Sequence, residues 1–102
     1  MSDAPAPPAV LASMRASIDA VDHALVELLA RRRALVADLF AQKVRHGLPL
    51  LDPGREAQLL ADRRAFAEER GVPPALVDRV MRALLDASHE DAENLAREAP
   101  PG

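Results

Sequence analysis

The sequence predicts an all-α chain of three helices, the first of them very long. Apolar residues recur at intervals of three and four along three stretches, which is the spacing of amphipathic helices. Valine and isoleucine, which favour strands, are sparse and follow the same helical spacing. With 102 residues the chain makes one domain at most.

The first helix is expected from about Ala9 to about Arg45. Its apolar stripe steps by three and four and consists of Leu11, Met14, Ile18, Val21, Leu25, Leu28, Leu35 and Leu39. Such a helix spans roughly 55 Å, whereas a compact domain of this size has a radius of gyration of about 13 Å. No Pro or Gly interrupts it, so we expect a partner chain to cover it. A plain coiled coil is the alternative, opposed by the two further helices.

The other two helices are delimited by capping signals. Asp52-Pro53 is expected to start the second helix, and Arg70-Gly71 to close it. An apolar linker, 48–51, precedes it, and the third helix follows Val72-Pro73-Pro74. We expect residues 9–95 to be the folded domain, with disordered tails at 1–8 and 96–102.

Composition excludes several classes of function. A net charge of −3, two Phe, no Trp and no Tyr argue against nucleic-acid binding. The absence of Cys excludes disulfides and thiolate chemistry. The three histidines, His23, His46 and His89, lack metal-ligand spacing and are interpreted as surface residues. Without a membrane-spanning run or a secretory signal, the expected location is the cytoplasm.

Three positively charged residues of the first helix are candidates for binding an anion. Arg32 takes a place on the apolar stripe, where a guanidinium is costly unless an anion meets it. Lys43 lies eleven residues on, with similar facing and roughly 16 Å of rise. Arg15 lies about 25 Å before Arg32, so only the Arg15 of an antiparallel partner chain would join the other two. A buried ion pair or snorkelling for Arg32, and surface positions for Lys43 and Arg15, remain alternatives.

The second and third helices add smaller signals. Asp52 is sufficiently explained as an N-cap, with Glu56 in the same first turn. Arg55 opposes the helix dipole there, which suggests another role. Ser88 continues an apolar row, and bonding back to the preceding turn is its simpler explanation. The chain offers no obvious nucleophile.

The charged and polar residues described above match the sequence pattern of a known family. The chain resembles the all-helical, type II chorismate mutases, and most closely the mutase domain fused to prephenate dehydrogenase. The similarity runs from about Leu11 to Ser88, through MRASIDAVDHALVELLARR, then Lys43, then GLPLLDPGREAQLLADRRAFAEERGVPPALVDRVM. It implies an intertwined homodimer whose two sites each use both subunits, with chorismate as substrate and neither cofactor nor metal.

The resemblance also implies roles for single residues. Arg32 and the partner's Arg15 would each hold a substrate carboxylate, and Lys43 would bind a carboxylate and the ether oxygen. Glu56 and the backbone near Asp52 would meet the ring hydroxyl. Arg55 and Ser88 would complete the carboxylate end.

One position departs from the family pattern. Ala92 stands where the family has Gln or Glu, which donates to the ether oxygen. Glu90 or Glu93 would substitute only if the last helical turn were distorted. Four alternatives therefore stay open: an isochorismate pyruvate lyase, a mutase of an amino analogue of chorismate, a non-catalytic chorismate-binding domain and a helical dimerisation module.

Overall fold

The protein is described by a computed structural model over residues 7–98, which form three α-helices. They are α1 (Pro7–Arg45), α2 (Pro53–Glu69) and α3 (Pro74–Glu98). No strand occurs within this range. The all-α prediction is thereby confirmed. None of these helices has the length and apolar character needed to cross a membrane.

The outer helix ends differ from the predicted ones. α1 begins at Pro7, two residues before the expected start, because proline is accepted in a first helical turn. α3 continues to Glu98, into the segment expected to be a tail, and Arg97 donates to Asn94 in its last turn. The remaining tail residues, 1–6 and 99–102, lie outside the described part of the chain.

The signals that delimit α2 act as predicted. Asp52 is its N-cap, and the Asp52 carboxylate accepts from the backbone N–H of Arg55 at 3.0 Å. Gly71 follows the helix with φ at +70°, a left-handed conformation that favours glycine. The turn places the start of α3 so that it packs against α2.

The chain divides into two units, residues 1–35 and 36–102, with the boundary inside α1. In the described part of the first unit no side chain is buried, and the stripe residues from Leu11 to Leu35 are at least half exposed. The second unit holds a small core of Phe40, Leu59, Leu60, Ala67 and Ala92. The first unit therefore has apolar surface without a core of its own.

An ion-pair network joins α2 to α3 in the second unit. Asp78 accepts a hydrogen bond from Arg82 at 2.7 Å, and its other oxygen lies 3.5 Å from Arg64. The Arg64 contact is an ion pair without hydrogen-bond geometry. The hydrogen bond from Arg82, helped by the charges of both arginines, lowers the pKa of Asp78 below its ordinary value, against a smaller opposing effect of desolvation.

Candidate active site

Lys43 sits near the end of α1 and is held by the linker to α2. Its Nζ donates to the backbone carbonyl of Leu50 at 2.9 Å, and the side chain is half-buried. A neutral carbonyl does not cancel the ammonium charge, and an ammonium has two further N–H donors. Lys43 is therefore positioned by the linker while keeping its charge and donors for an anion.

The first turn of α2 carries three of the predicted residues. Asp52 uses its carboxylate on the N–H of Arg55 and its carbonyl on the N–H of Glu56, each at 3.0 Å. These bonds fix the backbone from which Arg55 and Glu56 project. The Arg55 side chain is exposed, whereas Glu56 is half-buried against α3.

Glu56 meets a residue that sequence reasoning missed. Its Oε1 lies 2.5 Å from Nε2 of His89, although the two residues are 33 positions apart. His89 is half-buried, unlike the exposed His23 and His46, so interpreting it as a surface residue was wrong. The sequence spacing could have indicated this position, because His89 follows Leu85 by four residues. The two residues therefore lie on the same face of α3, the face that packs on α2.

Ser88 adopts the simpler of its two predicted arrangements. Its hydroxyl donates to the carbonyl of Leu84, one turn earlier, at 3.1 Å. The side chain is half-buried. A hydroxyl that donates to its own helix keeps its oxygen as an acceptor, so the bond does not exclude a ligand contact.

Ala92 is buried at 4% exposure, and α3 is undistorted around it. Glu90 and Glu93 are both exposed, and α3 continues as an α-helix through this turn, so a helical distortion does not move either carboxyl. Ala92 lines a cavity of about 280 Å³ together with Leu50, Leu51, Glu93 and Ala96. This cavity adjoins the residue whose carbonyl holds Lys43.

A second cavity, of about 310 Å³, lies between α2 and α3. Glu56 and His89 line it together with Leu60, Arg82, Leu85 and Asp86. Within residues 7–98 no cluster of three or more His, Asp or Glu side chains has the proximity needed to hold a metal ion.

Arg15 and Arg32 belong to the first unit. Arg15 is exposed, and Arg32 is the half-buried member of the Arg31–Arg33 triplet. The structure thus brings Asp52, Arg55, Glu56 and Lys43 into defined local contacts within the second unit. The roles of Arg15 and Arg32 remain predictions.

Comparison with known proteins identifies the family. Residues 14–92 match the family model for chorismate mutase type II. This chain belongs to the type II chorismate mutase family. The match spans all seven predicted site residues, from Arg15 to Ser88, and also Ala92.

Three relatives illustrate the range of this family. A T-protein from Enterobacter agglomerans is 48% identical over 81 residues, which cover 79% of this chain and 22% of the relative. A 4-amino-4-deoxychorismate mutase from Streptomyces venezuelae is 38% identical, over 74% of this chain and 73% of the relative. A chorismate mutase from Methanocaldococcus jannaschii is 29% identical, over 74% of this chain and 77% of the relative. The chain thus spans about a fifth of the T-protein's length.

Proposed function

We propose that this chain is a chorismate mutase domain that rearranges chorismate to prephenate without a cofactor. The observation that carries the proposal is the family match over residues 14–92, which contains the cations expected to bind the substrate. The proposed place of this activity is the biosynthesis of aromatic amino acids by the shikimate pathway, in the cytoplasm.

The chemistry accounts for the residue types. The rearrangement is pericyclic and involves one substrate, so it needs neither a nucleophile nor a proton transfer. The protein has to hold a dianion in its reactive conformer, which is a proximity effect. It also has to stabilise negative charge that grows on the ether oxygen. Arginines suit the carboxylates because their planar forks bind them in a bidentate manner.

Lys43 is the proposed donor to the ether oxygen. Its bond to the Leu50 carbonyl supports this role, because it fixes the ammonium without neutralising it. Arg32 is proposed to clamp one carboxylate, and Arg55 and Ser88 to complete the carboxylate end. The ring hydroxyl is assigned to Glu56 and to the backbone near Asp52.

The active form is proposed to be an intertwined homodimer. The exposed stripe of the first unit supports it, because helices in proteins gain most of their stability from packing of their apolar face, and this face is at least half exposed in the single chain. A second copy would cover this stripe and would bring its own Arg15 to the site. No nucleic acid is proposed as a partner, given the net charge of −3.

Chorismate consumption by purified protein tests the proposal. Arg32→Ala and Lys43→Ala are each expected to lower kcat/KM by on the order of a hundredfold or more. Arg31→Ala is the matched control, because this neighbouring arginine is exposed, and it should leave kcat/KM within about twofold. Prephenate is the expected product.

Three outcomes would contradict the mutase assignment and point to the alternatives. Binding of chorismate without turnover would identify a chorismate-binding domain, for which Ala92 would be the physical reason. A dimer that neither binds nor converts chorismate would identify a dimerisation module. Release of pyruvate from isochorismate, at a higher kcat/KM than chorismate conversion, would assign the lyase reaction instead.

A further inference from the structure

Glu56 on α2 and His89 on α3 form a pair at the edge of the cavity between these helices. Oε1 of Glu56 and Nε2 of His89 are 2.5 Å apart, and the side chains are 25% and 36% exposed. The contact occupies one carboxylate oxygen and leaves Oε2 as the oxygen that can accept from a ligand. The imidazole therefore fixes the orientation of the carboxylate proposed to meet the ring hydroxyl, and it already occupies one of the two acceptor oxygens of that carboxylate.

The other charges around this cavity are few. Asp86 and Arg82 line it from α3, and Arg82 donates to Asp78 at 2.7 Å. Glu56 and Asp86 together exceed the single positive charge of Arg82. A hydrogen bond from His89 to Glu56 consequently weakens the attraction of this wall for a cationic ligand.

A hydroxyl and an amine make different demands on such a wall. A hydroxyl needs one acceptor and gains little from net negative charge. An aliphatic amine is largely an ammonium ion at neutral pH, and it binds best to a carboxylate that no other donor compensates. A carboxylate that already accepts a hydrogen bond from His89 attracts an ammonium group less strongly. A protonated imidazole would also repel the ammonium group.

We propose that His89 is a specificity-determining residue that makes the site prefer a ring hydroxyl over a ring amine, by holding and compensating the Glu56 carboxylate. The inference rests on the proposed function, because it takes Glu56 as the residue that meets the ring substituent. His89 acts through Glu56 and is thus a positioning residue.

The experiment compares two substrates on one set of variants. The kcat/KM values for chorismate and for 4-amino-4-deoxychorismate are measured for the natural protein, His89→Ala and His89→Gln. His89→Ala is expected to shift the ratio toward the amine by on the order of tenfold, the size of a lost hydrogen bond to a charged group. His89→Gln keeps a neutral donor, so its shift should be smaller. His46→Ala, at an exposed histidine, should not move the ratio.

A purely structural role for His89 gives a different result. It would lower both kcat/KM values by the same factor, and an unchanged ratio in His89→Ala and His89→Gln overturns the inference. A shift toward the hydroxyl also overturns it.

Failure of the proposed function is recognised separately. If the natural protein converts neither compound, the mutase assignment fails. The same ratio is then read from the dissociation constants of both compounds by titration calorimetry. A ratio that His89→Ala leaves unchanged, or the absence of any binding, overturns the role of His89.

Discussion

Replacement of Ala92 by Gln is expected to raise the turnover of chorismate. Ala92 is buried and lines a cavity of about 280 Å³ that also includes Leu50. Leu50 is the residue whose carbonyl positions Lys43 at 2.9 Å. A donor added here would thus lie close to the ammonium proposed to stabilise the ether oxygen, and the two would act on the same developing charge.

The expected gain in kcat depends on whether a Gln side chain fits the cavity and on how much one hydrogen-bond donor contributes. A Gln side chain adds four heavy atoms to that of Ala, roughly two water volumes or about 60 Å³. The cavity is several times larger, so the side chain fits without overpacking. One well-placed donor to a developing oxyanion contributes about 2.7–4 kcal/mol, equivalent to a factor of about 10² to 10³ in kcat. We expect a gain near the lower end, because Lys43 is already proposed to donate to this oxygen.

The assay is the loss of chorismate under saturating substrate, with KM determined in parallel. Ala92→Met is the control, because Met has nearly the volume of Gln but no N–H donor. The gain should appear in kcat for Ala92→Gln and should be absent for Ala92→Met. Equal gains in both variants, or an unchanged kcat in a folded Ala92→Gln protein, would refute the idea that the missing donor at this position limits turnover.

Three further perturbations test the fold and the proposed assembly. Asp52→Ala should lower the free energy of unfolding by about 1 kcal/mol, whereas Asp52→Asn should preserve it, because both Asp and Asn cap helices well. Thermal unfolding of the two variants checks this. Asp78 has a lowered pKa in the folded state, so its stabilising effect is complete above the unfolded pKa and is lost as the pH falls through the folded value. Asp78→Asn should therefore be less stable than the natural protein above the unfolded pKa of about 3.9, and the difference should shrink as the pH falls below that value, as followed by denaturant titrations. Ile18→Asp, at a residue 57% exposed in the single chain, should shift sedimentation from dimer toward monomer, because a charge would be buried between two copies.

Each of these three has a result that contradicts it. An Asp52→Ala protein as stable as the natural one would mean that the cap bond contributes nothing. A difference between Asp78→Asn and the natural protein that stays constant from acid to neutral pH would rule out the ion pairs as its cause. Sedimentation of natural and Ile18→Asp proteins at the same monomeric mass would end the dimer proposal; Ser17→Asp, at the neighbouring exposed position off the stripe, is the control.

Local signals were sufficient to predict the helices. The Asp52-Pro53 start and the Gly71 stop depend on contacts within four residues, so their physics is contained in the sequence. The outer ends were placed less well. Prolines stand near both of these ends, at Pro7-Pro8 and Pro100-Pro101, and they are compatible with boundaries that differ by two or three residues.

The candidate site was predictable only in part. The cations stood out because they interrupt an apolar pattern or oppose a helix dipole. His89 did not stand out, because its partner Glu56 is 33 residues away and the pairing depends on how α2 and α3 pack. The Leu50 carbonyl was equally hidden, since a backbone acceptor leaves no trace in residue type.

The bond from Lys43 to the Leu50 carbonyl makes the connection between α1 and α2 a working part of the protein. Surface connections ordinarily accept insertions and deletions. This one has seven residues, 46–52, and one of its carbonyls holds an ammonium at the end of the preceding helix. A single added or removed residue there would displace that acceptor and leave every charged side chain intact. Length, more than composition, is therefore the property of this segment that mutation cannot change freely.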